Sequence, residues 1–219
     1  MNLNRVLVPF LAFVIGASGV GITMTIVHDG NSRPPTSSNS GMGMMSTPSG
    51  LMGPGSDIAR GAAGGFVPAQ RMEALALRVG RLAHRTGATI YYSNSRVTVV
   101  ALGSPGTHPG MYWQIDGVNR PTVSVPARST ITVDFADGDP GQVHGFELTT
   151  ASPPYSRMAM MDGQVAASGA FVMPVPAPQG KLWYATTTSF SAPPPGTYYI
   201  ICPVPGHAQQ GMWLRFIVR

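Results

Sequence analysis

The stretch Gly196–Arg219 reads GTYYIICPVPGHAQQGMWLRFIVR and holds the chain's only cysteine, Cys202, followed at five-residue steps by His207 and Met212. TYYII alternates bulky and β-branched residues and is expected to form a strand that delivers Cys202 to its end. Pro203, Val204, Pro205 and Gly206 then force a turn and forbid a helix. WLRFIV is expected to return as a second strand with Met212 at its start. One rigid hairpin would thus carry a thiolate, an imidazole and a thioether. These are the soft and borderline donors that a Cu(II)/Cu(I) couple needs, and two histidines, a cysteine and a weak axial methionine make the blue-copper arrangement.

The loop supplies one histidine, so another must reach in from elsewhere. His144 is the natural choice, because QVHGFELTT places it at the start of an apolar, β-branched run. His28 flanks an apolar segment, His84 lies among arginines in an expected helix, and His108 sits in a Gly/Pro turn; these three fit less well. Taken singly, each residue has a plainer reading, since a lone Cys is usually a small buried hydrophobe and a His or Met on a strand is usually core or rim. The joint spacing, with Pro and Gly between the donors and a strand on each side, favours the metal.

CPVPGH followed by GM closely resembles the copper loop of the rusticyanin/sulfocyanin-like branch of the blue copper cupredoxins. The resemblance extends upstream through PPYSRMAMMDG, VHGFELT and PTVSVPARSTITVDF, from roughly Pro68 to Arg219. It implies an all-β, Greek-key β-sandwich with an N-terminal helical extension. It also implies one type 1 copper held by His144, Cys202, His207 and Met212. Family members usually carry Asn or Ser directly after the first His, where this chain has Gly145, leaving the backbone N–H there to bond the cysteine sulfur.

A chain of 219 residues has room for one domain of some 150 residues plus extra segments. Abundant Gly and Pro with few charges suit many short strands joined by turns. A single cysteine excludes an internal disulfide framework and a copper centre bridged by two cysteines. From Val6 to Val27 the sequence VLVPFLAFVIGASGVGITMTIV has no charged residue and is long enough to span a bilayer. Arg5 precedes it and Asp29 follows it, which favours an N-terminus inside and the bulk of the chain outside. Residues 1–29 are therefore expected to be a retained anchor, in preference to a cleaved signal segment, because no A-x-A-like site follows. Residues 30–65 are rich in Gly, Ser, Pro and Met and are expected to be a flexible linker. Met42, Met44, Met45 and Met52 there could hand copper along as thioethers, although Met in such a tract is usually compositional.

The domain is expected over 66–219, opening with an amphipathic helix at about 68–86. Met72, Leu75, Ala76, Val79, Leu82 and Ala83 would share its apolar face, and Pro68 and Gly87 would bound it. Its arginines, Arg71, Arg78, Arg81 and Arg85, could lie against anionic lipid, but a solvated outer face on a sandwich-packed helix is the simpler expectation. Short strands are expected in IYY, RVTVVALG, MYWQIDG, PTVSVP, STITVDF, GFELTT, LWYATTT, TYYII and MWLRFIV. The net charge of +5 is spread, with Lys181 the one lysine, and no basic run alternates with aromatics as in a single-strand nucleic-acid binder. Few Asp and Glu must be protonated in acid, which points to tolerance of an acidic exterior.

The expected function is one-electron transfer, not catalysis, by a monomer tethered on the extracytoplasmic side of a membrane, with a cytochrome or terminal oxidase as partner. His207, in an exposed loop, is the expected electron port, amid an apolar patch of Val204, Pro205, Gly211, Met212 and Trp213. The alternative is a copper storage or delivery protein. A copper oxidase or nitrite reductase would need spare paired histidines, which the sequence lacks.

Overall fold

Alternation in TYYII and WLRFIV produces the expected hairpin. In the computed structural model, which describes residues 64–106 and 110–219, these stretches pair antiparallel, from Gly196 opposite Val218 to Ile201 opposite Trp213. In chain order the strands are β1 (Gly65–Pro68), β2 (His84–Thr86), β3 (Thr89–Tyr91), β4 (Arg96–Gly103), β5 (Trp113–Ile115), β6 (Val118–Asn119) and β7 (Thr122–Val125). They continue as β8 (Thr130–Asp137), β9 (Phe146–Thr149), β10 (Phe171–Val172), β11 (Leu182–Ser191), β12 (Gly196–Ile201) and β13 (Trp213–Val218). One α-helix among the described residues, α1 (Ala69–Gly80), and a 3-10 turn at Ala159–Met161 complete them. The expected anchor, most of the linker, His28 and His108 lie outside the described residues. No helix among the described residues is long and apolar enough to cross a membrane.

The strands form two mixed sheets, ordered β1-β11-β8-β4-β5-β6 and β10-β9-β12-β13-β7-β3-β2, with parallel pairing of β4 to β8 and of β7 to both β13 and β3. Side-chain alternation assigns each residue its layer. Val97, Val99 and Ala101 of β4 join Ile131, Val133 and Phe135 of β8 against Phe146, Leu148, Leu214 and Phe216 of the other sheet, making the inter-sheet core. Trp113 sits at its centre, edge-on to Phe135 and Phe146. The opposite face of β4 is buried too: Val100 and Leu102 meet Met72, Leu75, Ala76 and Val79 of α1. RVTVVALG is therefore a nearly unbroken apolar run, because the helix covers its outer face.

Helix α1 stops at Gly80, short of the expected residue 86. Leu82 is 70% exposed, and His84, expected in the helix, stands in β2. A long-range contact marks that end. The Arg85 guanidinium and the Asp116 carbonyl oxygen it bonds both press on Gly80, where any Cβ would collide with them, so only glycine fits at the helix end. Gly87, at φ +57°, then makes the tight turn from β2 to β3 instead of closing a helix. At the front, Gly65, expected in the linker, already pairs with Ala185 in β1.

Asp116 and Gly117 form the two-residue turn from β5 to β6, both with positive φ, and the turn drives the Asp116 carboxylate inward. It accepts the Val100 N–H at 2.7 Å and the Tyr92 hydroxyl, while Arg85 donates to its main-chain carbonyl. Burial outweighs these bonds and raises the Asp116 carboxyl from 3.8 to about 7. Between those values the folded chain holds a proton that the unfolded chain releases, so stability falls as pH rises through the window. Asp116→Asn is expected to remove that share of the slope, up to about 1.4 kcal/mol per pH unit, while leaving stability in mild acid nearly unchanged. Urea unfolding of both proteins at pH 5 and pH 8 checks this; equal pH slopes would refute it.

Candidate metal centre

Strand β12 ends at Ile201, just before Cys202, and β13 begins just after Met212, so the eleven residues between the two strands are pinned at both ends. The Cys202 N–H donates to the Met212 carbonyl at 3.1 Å, and the Met212 N–H to the His207 carbonyl at 2.9 Å. Gly206, at φ +88°, donates its N–H to the carbonyl of Arg157 at 2.7 Å, clamping the loop to the 150s segment. These bonds bury the loop's donor residues further than a Pro/Gly turn would predict. Pro205, Gln209 and Gln210 keep the loop exposed as expected, but His207 is only 5% exposed and Met212 is fully buried, so the histidine offers only an edge and the expected surface methionine is corrected to a core one.

His144 arrives from the segment before β9. Its N–H donates to Asp137 at 3.0 Å and its carbonyl accepts from Val175 at 2.9 Å. Gly103, at the end of β4, packs close to it: a Cβ there would come within 3.1–3.3 Å of the imidazole carbons and the His144 Cβ. On the far edge, Nε2 faces the Asp139 carboxylate at 3.3 Å. A carboxylate there keeps the proton on Nε2 and leaves the Nδ1 lone pair for a metal.

The structure brings together three of the four expected donors. His144, Cys202 and His207 cluster with their ligand atoms within 4.8 Å of one another, all buried. Nδ1 to Nδ1 is 3.1 Å, and Cys202 Sγ lies 3.7 Å from the His144 Nδ1 and 3.5 Å from that of His207. A point equidistant from the three lies about 2.0 Å from each, the length of a metal–imidazole bond. Met212, backbone-bonded to both Cys202 and His207, packs in the same buried cluster as the cysteine. The chemistry fits a borderline-soft metal.

Burial disfavours the charged form of each of these groups. Burial pushes the Cys202 thiol up to about 11, against the opposing pull of the Gly145 and Val204 N–H groups. Burial likewise lowers His144 to about 4, with Asp139 opposing, and depresses His207. A metal held by the triangle would displace the Cys202 thiol proton and bind the neutral imidazoles of His144 and His207. His84 is exposed in β2, outside this cluster. Asp139 and Gly103 escaped the sequence reading. DGDPGQVH does place an acid near His144, but only the fold turns it onto the ring.

A family model described as the sulfocyanin (SoxE) domain matches residues 87–219. Rusticyanin of Acidithiobacillus ferridurans is 37% identical over 134 residues, spanning 61% of this chain and 69% of that protein. Rusticyanin of Acidithiobacillus ferrooxidans is 35% identical over 134 residues, 61% of this chain and 83% of that one. The solved structure of rusticyanin from Thiobacillus ferrooxidans matches with a TM-score of 0.64 at 27% identity, covering 72% of this chain and 97% of that chain. With the buried thiol–diimidazole triangle, these likenesses establish that the chain belongs to the sulfocyanin family, as a rusticyanin-like blue copper cupredoxin with one type 1 copper.

Proposed function

We propose that the protein is a one-electron carrier, tethered by its N-terminal apolar segment to the extracytoplasmic face of a membrane and serving a respiratory chain. The observation that carries the reading is the closed triangle of His144, Cys202 and His207, held on pinned loops. A bound copper supplies a Cu(II)/Cu(I) couple. The chain's residues do the rest. Cys202 through its thiolate, His144 and His207 through their imidazoles and Met212 through its thioether would hold the ion, a donor set suited to both oxidation states. Asp139 orients His144, while the Arg157 and Met212 backbone bonds keep the loop from moving between oxidation states. The His207 edge, sunken but not sealed, is the port to a cytochrome or terminal oxidase. The charge-free run Val6–Val27 supports the tether.

Copper-loaded protein mixed with a reduced c-type cytochrome, and separately with a strong Cu(I) chelator, tests the reading. Electron exchange should finish long before copper is lost. Ready copper loss with sluggish electron exchange would favour storage or delivery.

A further inference from the structure

The metal centre is nearly closed, which raises the question of how an ion enters it. Cys202, His144 and Met212 are fully buried, and only the His207 edge meets solvent. The loop segment clamped to the copper loop has the opposite character. Met158, Met160 and Met161 are 44%, 38% and 73% exposed on one short turn, although methionine ordinarily fills cores.

That turn is built. The Ser156 N–H and hydroxyl both donate to the Asp162 carboxylate, at 2.8 and 2.6 Å, closing the loop across its base. The Met158 N–H donates to the Ser156 hydroxyl at 3.2 Å, and the Met161 N–H to the Met158 carbonyl at 2.7 Å. Tyr155 and Ala159 are buried in a small apolar cluster with Ile201 and Ala208, directly behind the copper loop. The 3-10 turn Ala159–Met161 and its N-terminal neighbour Met158 thus present three exposed thioethers within four consecutive residues. The Arg157 carbonyl that holds Gly206 is one residue from Met158, and Gly206 is one residue from His207.

We propose that Met158, Met160 and Met161 form a surface site for Cu(I) that receives the ion and passes it to the centre; this rests on the copper reading above. Thioethers are neutral, soft donors suited to Cu(I). The ion moves as Cu(I) throughout: bonds to thioether sulfur break, bonds to Cys202 and the imidazoles form, and the Cys202 proton leaves to water. No electron changes hands. Holding the ion beside the loop makes the second step effectively intramolecular.

The test uses the full chain and the variant M158L/M160L/M161L, whose exposed, near-isosteric changes spare the fold. Cu(I) is titrated anaerobically against a chromophoric chelator, and Ag(I) is followed by methionine-methyl NMR. The native chain should bind Cu(I) beyond the one ion of the centre, with Ag(I) shifting these three methyls. The variant should lose that extra ion and fill the centre about 100-fold more slowly, the low end of the gain from linking two sites. No extra Cu(I) in the native chain, or an extra ion that survives the substitution, would overturn the proposal. The methionines of residues 30–65 remain in both proteins, so copper held there gives the second of these results. Cu(I) bound at the turn of a native chain that never becomes blue on oxidation would instead sink the carrier reading, and the hand-over with it.

Discussion

Cys202→Ala is expected to abolish the intense visible band of the copper-loaded protein while leaving the fold standing. The thiol is fully buried, yet it lies at the end of the core, and removing one sulfur there should cost only about 1–2 kcal/mol. The metal-binding cost is of another order. The remaining donors, His144, His207 and the Met212 thioether, lack the anionic ligand whose covalency with Cu(II) produces the colour. Burial holds the thiol at about 11, so loading the native site releases a proton and should tighten as pH rises through the neutral range. The variant should lose both the band and that proton release. Visible and EPR spectra, with proton release on Cu(II) addition, measure this beside a thermal melt of the metal-free proteins. A variant that stays blue would remove Cys202 from the ligand set.

What the sequence made legible follows a simple division. The β12–β13 hairpin was readable because alternation and the Pro/Gly turn are local. So were the three donors of the triangle, since two lie on that hairpin and His144 opens an apolar strand. The extent of α1 was not. Leu82 and Ala83 continue the helical period, while the packing of Arg85 and the Asp116 carbonyl on Gly80 at the observed end is long-range. Strands β6 and β10, of two residues each, are too short to show a period. The same limit hid the supports of the site. Gly103 and Asp139 approach His144 through space, and the Arg157 carbonyl that holds the copper loop comes from a distant segment.

The expectation of acid tolerance gains a second physical basis from the fold. A low count of carboxylates limits what acid can disrupt, but several of those present are buried and favour the protonated form. Burial raises Asp116 and Asp137 to about 7 and raises Glu147 as well. Each contributes stability that is present in acid and lost as pH climbs through its folded value. His144 and His207, depressed by burial, oppose this in the metal-free chain, because the unfolded chain takes up their protons below about 6.5. Copper held on both imidazoles penalises that protonation, so the copper-loaded chain should resist acid better than the metal-free one.

Gly145→Ser, which installs a residue type usual in the family, is expected to damage this protein. A Cβ at position 145 would lie 2.7 Å from the Val172 carbonyl oxygen, 2.9 Å from the Pro174 nitrogen and 3.0 Å from the Pro203 ring. Two of these are backbone atoms, so no side-chain rotamer relieves them. The 172–175 segment is itself tied back, since the Val175 N–H donates to the His144 carbonyl. Relief must therefore move either that segment, and His144 with it, or Pro203, and its neighbour Cys202. Either movement misaligns the Gly145 N–H that supports the Cys202 sulfur. Overpacking of this kind costs about 1–3 kcal/mol, and a disturbed support of a ligand lowers metal affinity by about 10- to 100-fold. Unfolding in urea and copper competition measure the two effects separately. A Gly145→Ser protein that was as stable as the native chain and bound copper more tightly would show that the 172–174 segment yields freely. Loss in both would show that this chain ties its ligand loops by close backbone approach, in place of the side chain its relatives usually carry at that position.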